Sequence, residues 1–409
     1  MAPAKHKYTI LQQICQHIPG HLVTKLAQKF GVDKVARSFS PWSHIVTMLY
    51  VQVAHCLSLN DVADALRNHS GVLTTIRRAT PPSRNGLSHA NRVRDPAMAQ
   101  DLFWAVLSHI QIKYPDFGIG QKYSGLPRRF KRAIFAIDST TIQLIANCMD
   151  WAKHRLRKAA AKCHMQLNLQ TFLPEFAIIK NASTHDSTEA YDLCANLKNG
   201  EIAVFDKAYV DFTHLAQLNN RGVFWVTRAK DNMAYQIIKQ HKKPKGNIIS
   251  DDLIELTITK SYEAYPQYLR LVTANVEIDG KEKTMQFITN NMIWASSSIC
   301  DLYQCRWGIE VFFKQIKQTL QLSDFLGHSQ NAILWQVWMA LLTYVLLRFI
   351  AYLGKWKGSF SRLFTLLRAV LFDRLEILSV LTACCGTARG SPRMIASCQQ
   401  AYLPGFELK

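Results

Sequence analysis

Four residues late in the chain, Tyr303, Arg306, Glu310 and Lys317, have types and spacings that suit phosphate chemistry. The stretch that carries them lacks proline, has one glycine and continues into Gln318, Thr319 and Leu320, so it reads as a single helix. At about 100° per residue the four fall within roughly 60° of one another, beside an apolar arc of Ile309, Phe312, Phe313, Ile316 and Leu320. A carboxylate flanked by cations on one helix face has a plain reading: exposed ion pairs, each worth on the order of a few tenths of a kcal/mol. It also has a chemical one, in which Glu310 holds a metal ion while Tyr303, Arg306 and Lys317 grip a nucleic-acid backbone.

Two more acidic residues follow apolar runs of strand length. Ala133 to Ile137 leads into Asp138 and the small hydroxyls Ser139, Thr140 and Thr141, and Ile202 to Phe205 leads into Asp206. A carboxylate at the end of a buried strand is a common place for chemistry in α/β enzymes, and about as often simply makes a turn. The strands that position Asp138 read as a three-stranded meander starting there, continued by Met165 to Gln170 and Phe176 to Lys180.

The pattern Tyr303-x2-Arg306-x3-Glu310-x6-Lys317 resembles the Y-R-E-K signature of the insertion-sequence-four family of bacterial DDE transposases. The lead-in Phe287-Ile288-Thr289-Asn290-Asn291, the segment Asp206-Lys207-Ala208-Tyr209-x-Asp211-Phe212, the segment Ser88 to Asp95 and His185-Asp186-Ser187 are similar to elements of the same family. The resemblance covers roughly residues 43–350. It implies an α/β fold: a ribonuclease H-like catalytic core interrupted by a β-rich insertion and preceded by an all-helical N-terminal domain. It implies Asp138, Asp206 and Glu310 as catalytic metal ligands, and Tyr303, Arg306 and Lys317 as DNA contacts. Arg228, after the Gly222 to Thr227 strand, joins the DNA-contact candidates, and His185, Asp186 and Tyr209 are supporting residues. Tyr262, Tyr265 and Trp294 are alternative aromatics for stacking on a flipped base.

Clustered carboxylates repel one another unless cations neutralise them. Two divalent ions about 3.5–4 Å apart would do so, one activating the attacking hydroxyl and the other stabilising the leaving oxygen. Carboxylate ligands suit Mg²⁺ or Mn²⁺ better than Zn²⁺. The implied reaction is nicking at element ends, then attack of the freed 3′-hydroxyl on target DNA. Its partners would be double-stranded DNA and a second copy in a synaptic homodimer. Two other readings stay open: a catalytically inactive DNA-binding protein of the same fold, and a two-metal nuclease without strand transfer.

Composition agrees with a polyanion partner. The 409 residues are 48% hydrophobic, which excludes a disordered chain, and carry a net charge of +20. The ten cysteines include no C-x2-C pair and no secretory leader opens the sequence, so a reduced bacterial cytoplasm, beside the nucleoid, is expected. Ala332 to Leu353 is long and apolar enough to suggest a membrane span. It contains Gln336, Thr343 and Arg348, so a buried central helix is expected and no membrane.

The expected divisions are a helical DNA-binding domain over 1–125 and the first part of the core over 126–228. A β-rich insertion over 229–289, the second part of the core over 290–353 and a helical region over 354–409 follow. Within the first, helices are expected at Ile10 to Ile18, Val23 to Phe30, Ser43 to Ser58, Leu59 to Asn68 and Leu102 to Ile112. Asn60 is a possible cap of the fourth, and the third and fourth could form a helix-turn-helix. Pro115 to Pro127 reads as a linker, Arg128 to Arg132 and Lys153 to Lys162 as basic clusters. The insertion shows strand-like runs at Leu253 to Lys260, Leu269 to Ile278 and Lys283 to Thr289, with a turn at Asp279-Gly280. A last helix is expected from Phe360 to Arg368 or beyond.

Overall fold

Apolar residues at helical spacing dominate the first part of the chain. They form α1 (Ile10–Gln16), α2 (Gly20–Lys29), α3 (Pro41–Ala54), α4 (Leu59–Asn68), α5 (Ser70–Thr75), α6 (Arg84–Val93) and α7 (Ala97–Lys113). The computed structural model describes residues 2–34, 38–118, 130–144, 153–155, 158–181, 186–241, 246–278, 281–320 and 325–384. Outside them lie most of the expected linker, Arg128 and Arg129, His185, residues 242–245 of the basic loop, the Asp279-Gly280 turn and residues 385–409.

Ser58, not Asn60, caps α4. Its hydroxyl accepts from the Asp61 amide at 3.1 Å while the Asp61 carboxylate accepts from the Ser58 amide at 2.9 Å. This reciprocal pair satisfies two donors that a cap at Asn60 would leave open. His55 ends α3 in the left-handed conformation (φ 58°), and α3 and α4 diverge by 106°, within the helix-turn-helix range.

The rest of the chain supplies β1 (Ile134–Leu144), β2 (Lys153–Arg155), β3 (Lys158–Asn168), β4 (Leu173–Asn181), α8 (Asp186–Leu193), β5 (Ile202–Phe205), α9 (Phe212–Asn220) and β6 (Phe224–Arg228). Then come β7 (Tyr235–Gln240), β8 (Ile248–Leu256), α10 (Thr259–Ala264), β9 (Leu269–Ile278) and β10 (Lys281–Thr289). Last are α11 (Ser296–Cys305), α12 (Trp307–Thr319), α13 (Gln330–Leu353), α14 (Phe360–Ala369) and α15 (Ile377–Cys384).

Among the described residues the strands form one mixed sheet in the order β2-β3-β1-β5-β6-β10-β9-β8-β7, with β4 also paired to β3. β1, β3 and β4 are an antiparallel meander, and β5 and β6 run parallel to β1. Every residue of β5 is buried, as a central parallel strand covered on both faces requires. Asp138 lies in the middle of β1, not at its end. The small hydroxyl residues after it stay in the ladder, Ser139 opposite His164 and Thr140 opposite Cys163.

The insertion extends the same sheet. β10 pairs antiparallel with β6, and β9, β8 and β7 follow in turn. It contains β7, which the sequence pattern did not suggest, and Lys260 lies in α10. The last helix, α15, falls in the expected helical region over 354–409, without bounds set for it beforehand. It lies near the start of the chain, its Ile377 amide donating to Gln13 Oε1 at 3.0 Å.

α13 is the central helix. The most apolar 18-residue window within it is 89% buried, and α3, α6 and α7 pack on it. Its polar groups find internal partners: Gln336 accepts from the Leu326 amide at 3.0 Å, and the Thr343 hydroxyl donates to the Met339 carbonyl at 2.7 Å. One continuous apolar cluster runs from α1–α7 through α13 to the sheet face that carries Ile134, Ala136, Ile202 and Val204. A second, with Phe135, Ile137, Ala203 and Phe205, fills the opposite face.

A buried ion pair fastens the insertion to α11. The Arg270 guanidinium donates to both Asp251 oxygens at 2.8 and 2.6 Å and to the Trp294 carbonyl at 2.5 Å, and the Ser296 hydroxyl donates to Asp251 at 2.5 Å. Replacing Asp251 by Ala strands the Arg270 charge and should cost about 3–5 kcal/mol. A lower urea midpoint reads this directly, and a midpoint equal to wild type would exclude the pair as a brace.

Candidate active site

Strand register sets the first relation within the site. Ile137 pairs with Phe205 across the parallel strands β1 and β5, so the next residues, Asp138 and Asp206, stand side by side. By alternation both belong to the face of Ala136 and Val204, which α12 and α13 cover.

The stretch from Tyr303 to Lys317 is two helices, not one. α11 ends at Cys305, α12 begins at Trp307, and Arg306 sits between them. The Arg306 amide donates to the Tyr303 carbonyl and the Ile309 amide to the Arg306 carbonyl, both at 3.0 Å, in tighter three-residue turns. The Arg306 side chain gives the reason. Nη1 donates to Asp138 Oδ2 and Nη2 to Glu310 Oε1, each at 2.6 Å. Two charge-assisted bonds outweigh the regular helical bonds lost at one residue.

Three of the four spaced residues therefore converge on the two strand aspartates. The Tyr303 hydroxyl donates to Asp206 Oδ1 at 3.1 Å, and the Ser139 amide donates to Asp138 Oδ1 at 2.7 Å. Arg306 is 8% exposed, while the Glu310 side chain is 54% exposed and faces the open side of the cluster. Lys317 is anchored three residues along β1, its ammonium donating to the Thr141 carbonyl at 2.7 Å. Arg228, half-buried at the end of β6, lies near enough for its charge to act on the Tyr303 phenol.

Burial pushes the Asp138 carboxyl up to about 6. The charges of Glu310 and Asp206 push the same way, while Arg306 and the Ser139 amide oppose. Burial likewise raises the Tyr303 phenol to about 12, so it is a neutral donor to Asp206. Burial lowers Lys317 from the usual ammonium value.

Other contacts hold these groups in place. Tyr209, buried in the turn after Asp206, brings its hydroxyl within 3.3 Å of His164 Nδ1 on β3, beside Asp138's neighbour Ser139. Asp211 caps α9, accepting from the His214 amide and the Tyr191 hydroxyl. The lead-in to α11 is structural as well. Thr289 and Asn290 bond both backbone groups of Trp225, and Asn291 accepts from the Ile293 and Trp294 amides to turn the chain.

His185 is outside the described residues, and Asp186 opens α8. Of the stacking aromatics, Tyr265 is 1% exposed and packs on Trp225 within the cluster of the face opposite Asp138. Trp294 packs on Phe130 and Phe224, whereas Tyr262 on α10 is 42% exposed. Beside Tyr303 a groove of about 230 Å³ opens between α11 and the strands β9 and β10, lined by Met285, Phe287 and Trp307 and by the acidic Glu277 and Asp301.

Sequence reasoning missed His164 and the bridging role of Arg306. For Arg306 the signal was its place four residues before Glu310. For His164 it was a histidine entering an alternating strand. Among the described residues no group of three His, Cys, Asp or Glu stands as a preassembled metal cluster, and Arg306 bridges Asp138 and Glu310.

Residues 129–346 match the transposase DDE domain family, and residues 6–76 match a family described as a domain of unknown function, DUF4372. A Sinorhizobium fredii chain named as transposase y4zB is 30% identical over 258 residues, 62% of this chain and 71% of that one. A Geobacillus stearothermophilus chain named as the transposase for insertion sequence element IS5377 is 27% identical over 225 residues, 54% of this chain and 58% of that one. The solved structure of a piggyBac transposase synaptic complex with hairpin DNA aligns at TM-score 0.45 and 10% identity. It covers 97% of this chain and 86% of that one, a likeness too slight to argue from.

A raised carboxyl pKa has a definite sign for stability. The folded protein binds more protons than the unfolded chain between the ordinary value of 3.8 and about 6, so Asp138 costs stability progressively as pH rises through that window. In metal-free buffer Asp138→Asn should therefore be more stable than wild type at pH 7, by about 1–3 kcal/mol, with the difference closing by pH 4. Urea titrations at pH 4, 5.5 and 7 check this, and a gap that does not change with pH would assign the effect elsewhere.

Proposed function

This chain belongs to the transposase DDE domain family and is an insertion-sequence transposase, and we propose that Asp138, Asp206 and Glu310 form its catalytic centre. The observation that carries this reading is the convergence of three chain-distant carboxylates: two on adjacent parallel strands, the third joined to the first through Arg306. A ribonuclease H-like core built from β1, β3, β4, β5 and β6 is the reading that this strand order supports. The N-terminal helices over 1–125 would bind terminal inverted repeats, with the insertion over 229–289 bracing the second half of the core. The spacing of Tyr303, Arg306, Glu310 and Lys317 supports membership of the Y-R-E-K subgroup.

The donor set fits hard divalent cations. It offers oxygen ligands only, and its three carboxylates outnumber the single guanidinium among them. Two Mg²⁺ or Mn²⁺ ions held by Asp138, Asp206 and Glu310 would lower the pKa of the attacking hydroxyl and neutralise charge on the leaving oxygen. The chain's own residues do the positioning. The Ser139 amide orients Asp138, the Tyr303 hydroxyl orients Asp206, and Tyr209 against His164 keeps the turn after Asp206 in place. Lys317 and Arg228 bring positive charge to the sheet face where a DNA strand would lie, and the net charge of +20 favours that approach. The Arg306 fork matches a phosphate. The groove beside Tyr303, of mixed polar and apolar lining, offers Phe287 and Trp307 as faces on which an unstacked base could stack.

On this reading the enzyme acts on double-stranded DNA as a synaptic homodimer in the bacterial cytoplasm, by cut-and-paste transposition. The test uses purified protein, Mg²⁺ and a duplex carrying a terminal inverted repeat. Wild type should nick at one defined position. Glu310→Gln and Asp206→Asn should lose nicking by at least about 100-fold, since even outer partners of metal ligands are worth 10–100-fold, while end binding survives. Wild-type nicking by Glu310→Gln would remove Glu310 from the centre.

A further inference from the structure

Arg306 is the one cation paired with Asp138 or Glu310 among the described residues. We propose that it is an exchangeable counter-ion: it holds the carboxylates together while no divalent cation is bound, and cation entry releases it toward a DNA phosphate. The proposal rests on the reading of Asp138, Asp206 and Glu310 as ligands.

Three features of the geometry lead there. Arg306 ties α12 to β1 through bonds of 2.6 Å to Asp138 Oδ2 and Glu310 Oε1, one oxygen of each of two carboxylates that an incoming cation would use. Guanidinium and metal therefore compete for the same two carboxylates. Its Nε is buried and has no hydrogen-bond partner. A buried donor left open makes this arrangement incomplete, whereas a phosphate accepts Nε and one Nη together in a parallel fork. Arg306 also stands at the junction of α11 and α12, outside the regular ladder of either, so its side chain re-aims without unwinding a helix. Lys317 is already committed to the Thr141 carbonyl and Tyr303 to Asp206, which leaves Arg306 as the side chain whose partners change.

The exchange makes metal and DNA mutually reinforcing. A phosphate that takes the guanidinium frees ligand oxygens, and a metal that takes the oxygens frees the guanidinium, so each tightens the other by the same factor.

The test measures the metal-free melting temperature and Mn²⁺ binding by calorimetry, the binding first without DNA and then, for wild type, with a duplex. Arg306→Ala and Arg306→Gln should bind Mn²⁺ at least about tenfold more tightly than wild type, since neither of the two charge-assisted hydrogen bonds then competes. Both should melt lower than wild type without metal and recover more on adding Mn²⁺. Wild type itself should bind Mn²⁺ more tightly once a non-cleavable duplex is present, a readout that stands even where a variant fails to fold. Unchanged Mn²⁺ affinity in the variants, or in wild type with the duplex, overturns the exchange, provided Asp138→Asn still removes Mn²⁺ binding. Mn²⁺ binding that ignores both Asp138→Asn and Glu310→Gln overturns the ligand reading and the exchange with it.

Discussion

Asp138, in the middle of β1, and Asp206, just past the end of β5, are two carboxylates set side by side and partly out of water, and much of the surrounding structure offsets that cost. The register of β1 against β5 leaves them no distance to gain. A rigid, fully buried central strand cannot bend away. What remains is to supply donors: the Ser139 amide, the Tyr303 hydroxyl and the Arg306 guanidinium each face one of the carboxylates. Even so, Asp138 stays harder to ionise than a free carboxyl, chiefly because it is buried, with the charges of Glu310 and Asp206 adding to the effect.

The donors must arrive from far along the chain, and the insertion is how they get there. Between Asp206 and Tyr303 the polypeptide extends the same sheet by four strands and returns beside β6. The Asp251–Arg270 pair and Ser296 then fix the start of α11, and Asn290 and Asn291 set the angle at which the chain leaves β10. The insertion is thus a spacer in sequence and a bracket in space.

Much of this was legible in the residues. The apolar runs before Asp138 and Asp206, the long apolar helix now seen as α13, and the fixed spacing of Tyr303, Arg306, Glu310 and Lys317 all follow from local pattern. What was not legible depended on distant partners. Periodicity drew one helix through Arg306 because it cannot register a carboxylate on β1 that pulls the chain out of its ladder. The first strand read as ending at Asp138 because its apolar run stops there, yet β3 lies alongside and keeps the following hydroxyl residues extended. Asn60 looked like a cap by type, but Ser58 has Asp61 at the spacing that closes a capping box. His164 drew no attention because its significance lies in facing Tyr209, 45 positions later in sequence.

The place of α13 in the sequence has a consequence during synthesis. α3 and α7 bury their apolar faces on a helix that begins only at Gln330. At about 5–20 residues per second, those faces wait for tens of seconds on the ribosome before their partner emerges. During that interval the nascent N-terminal helices are natural clients for chaperones. A chain released early leaves them without the surface they need, so prematurely ended translation yields fragments prone to degradation rather than free DNA-binding modules.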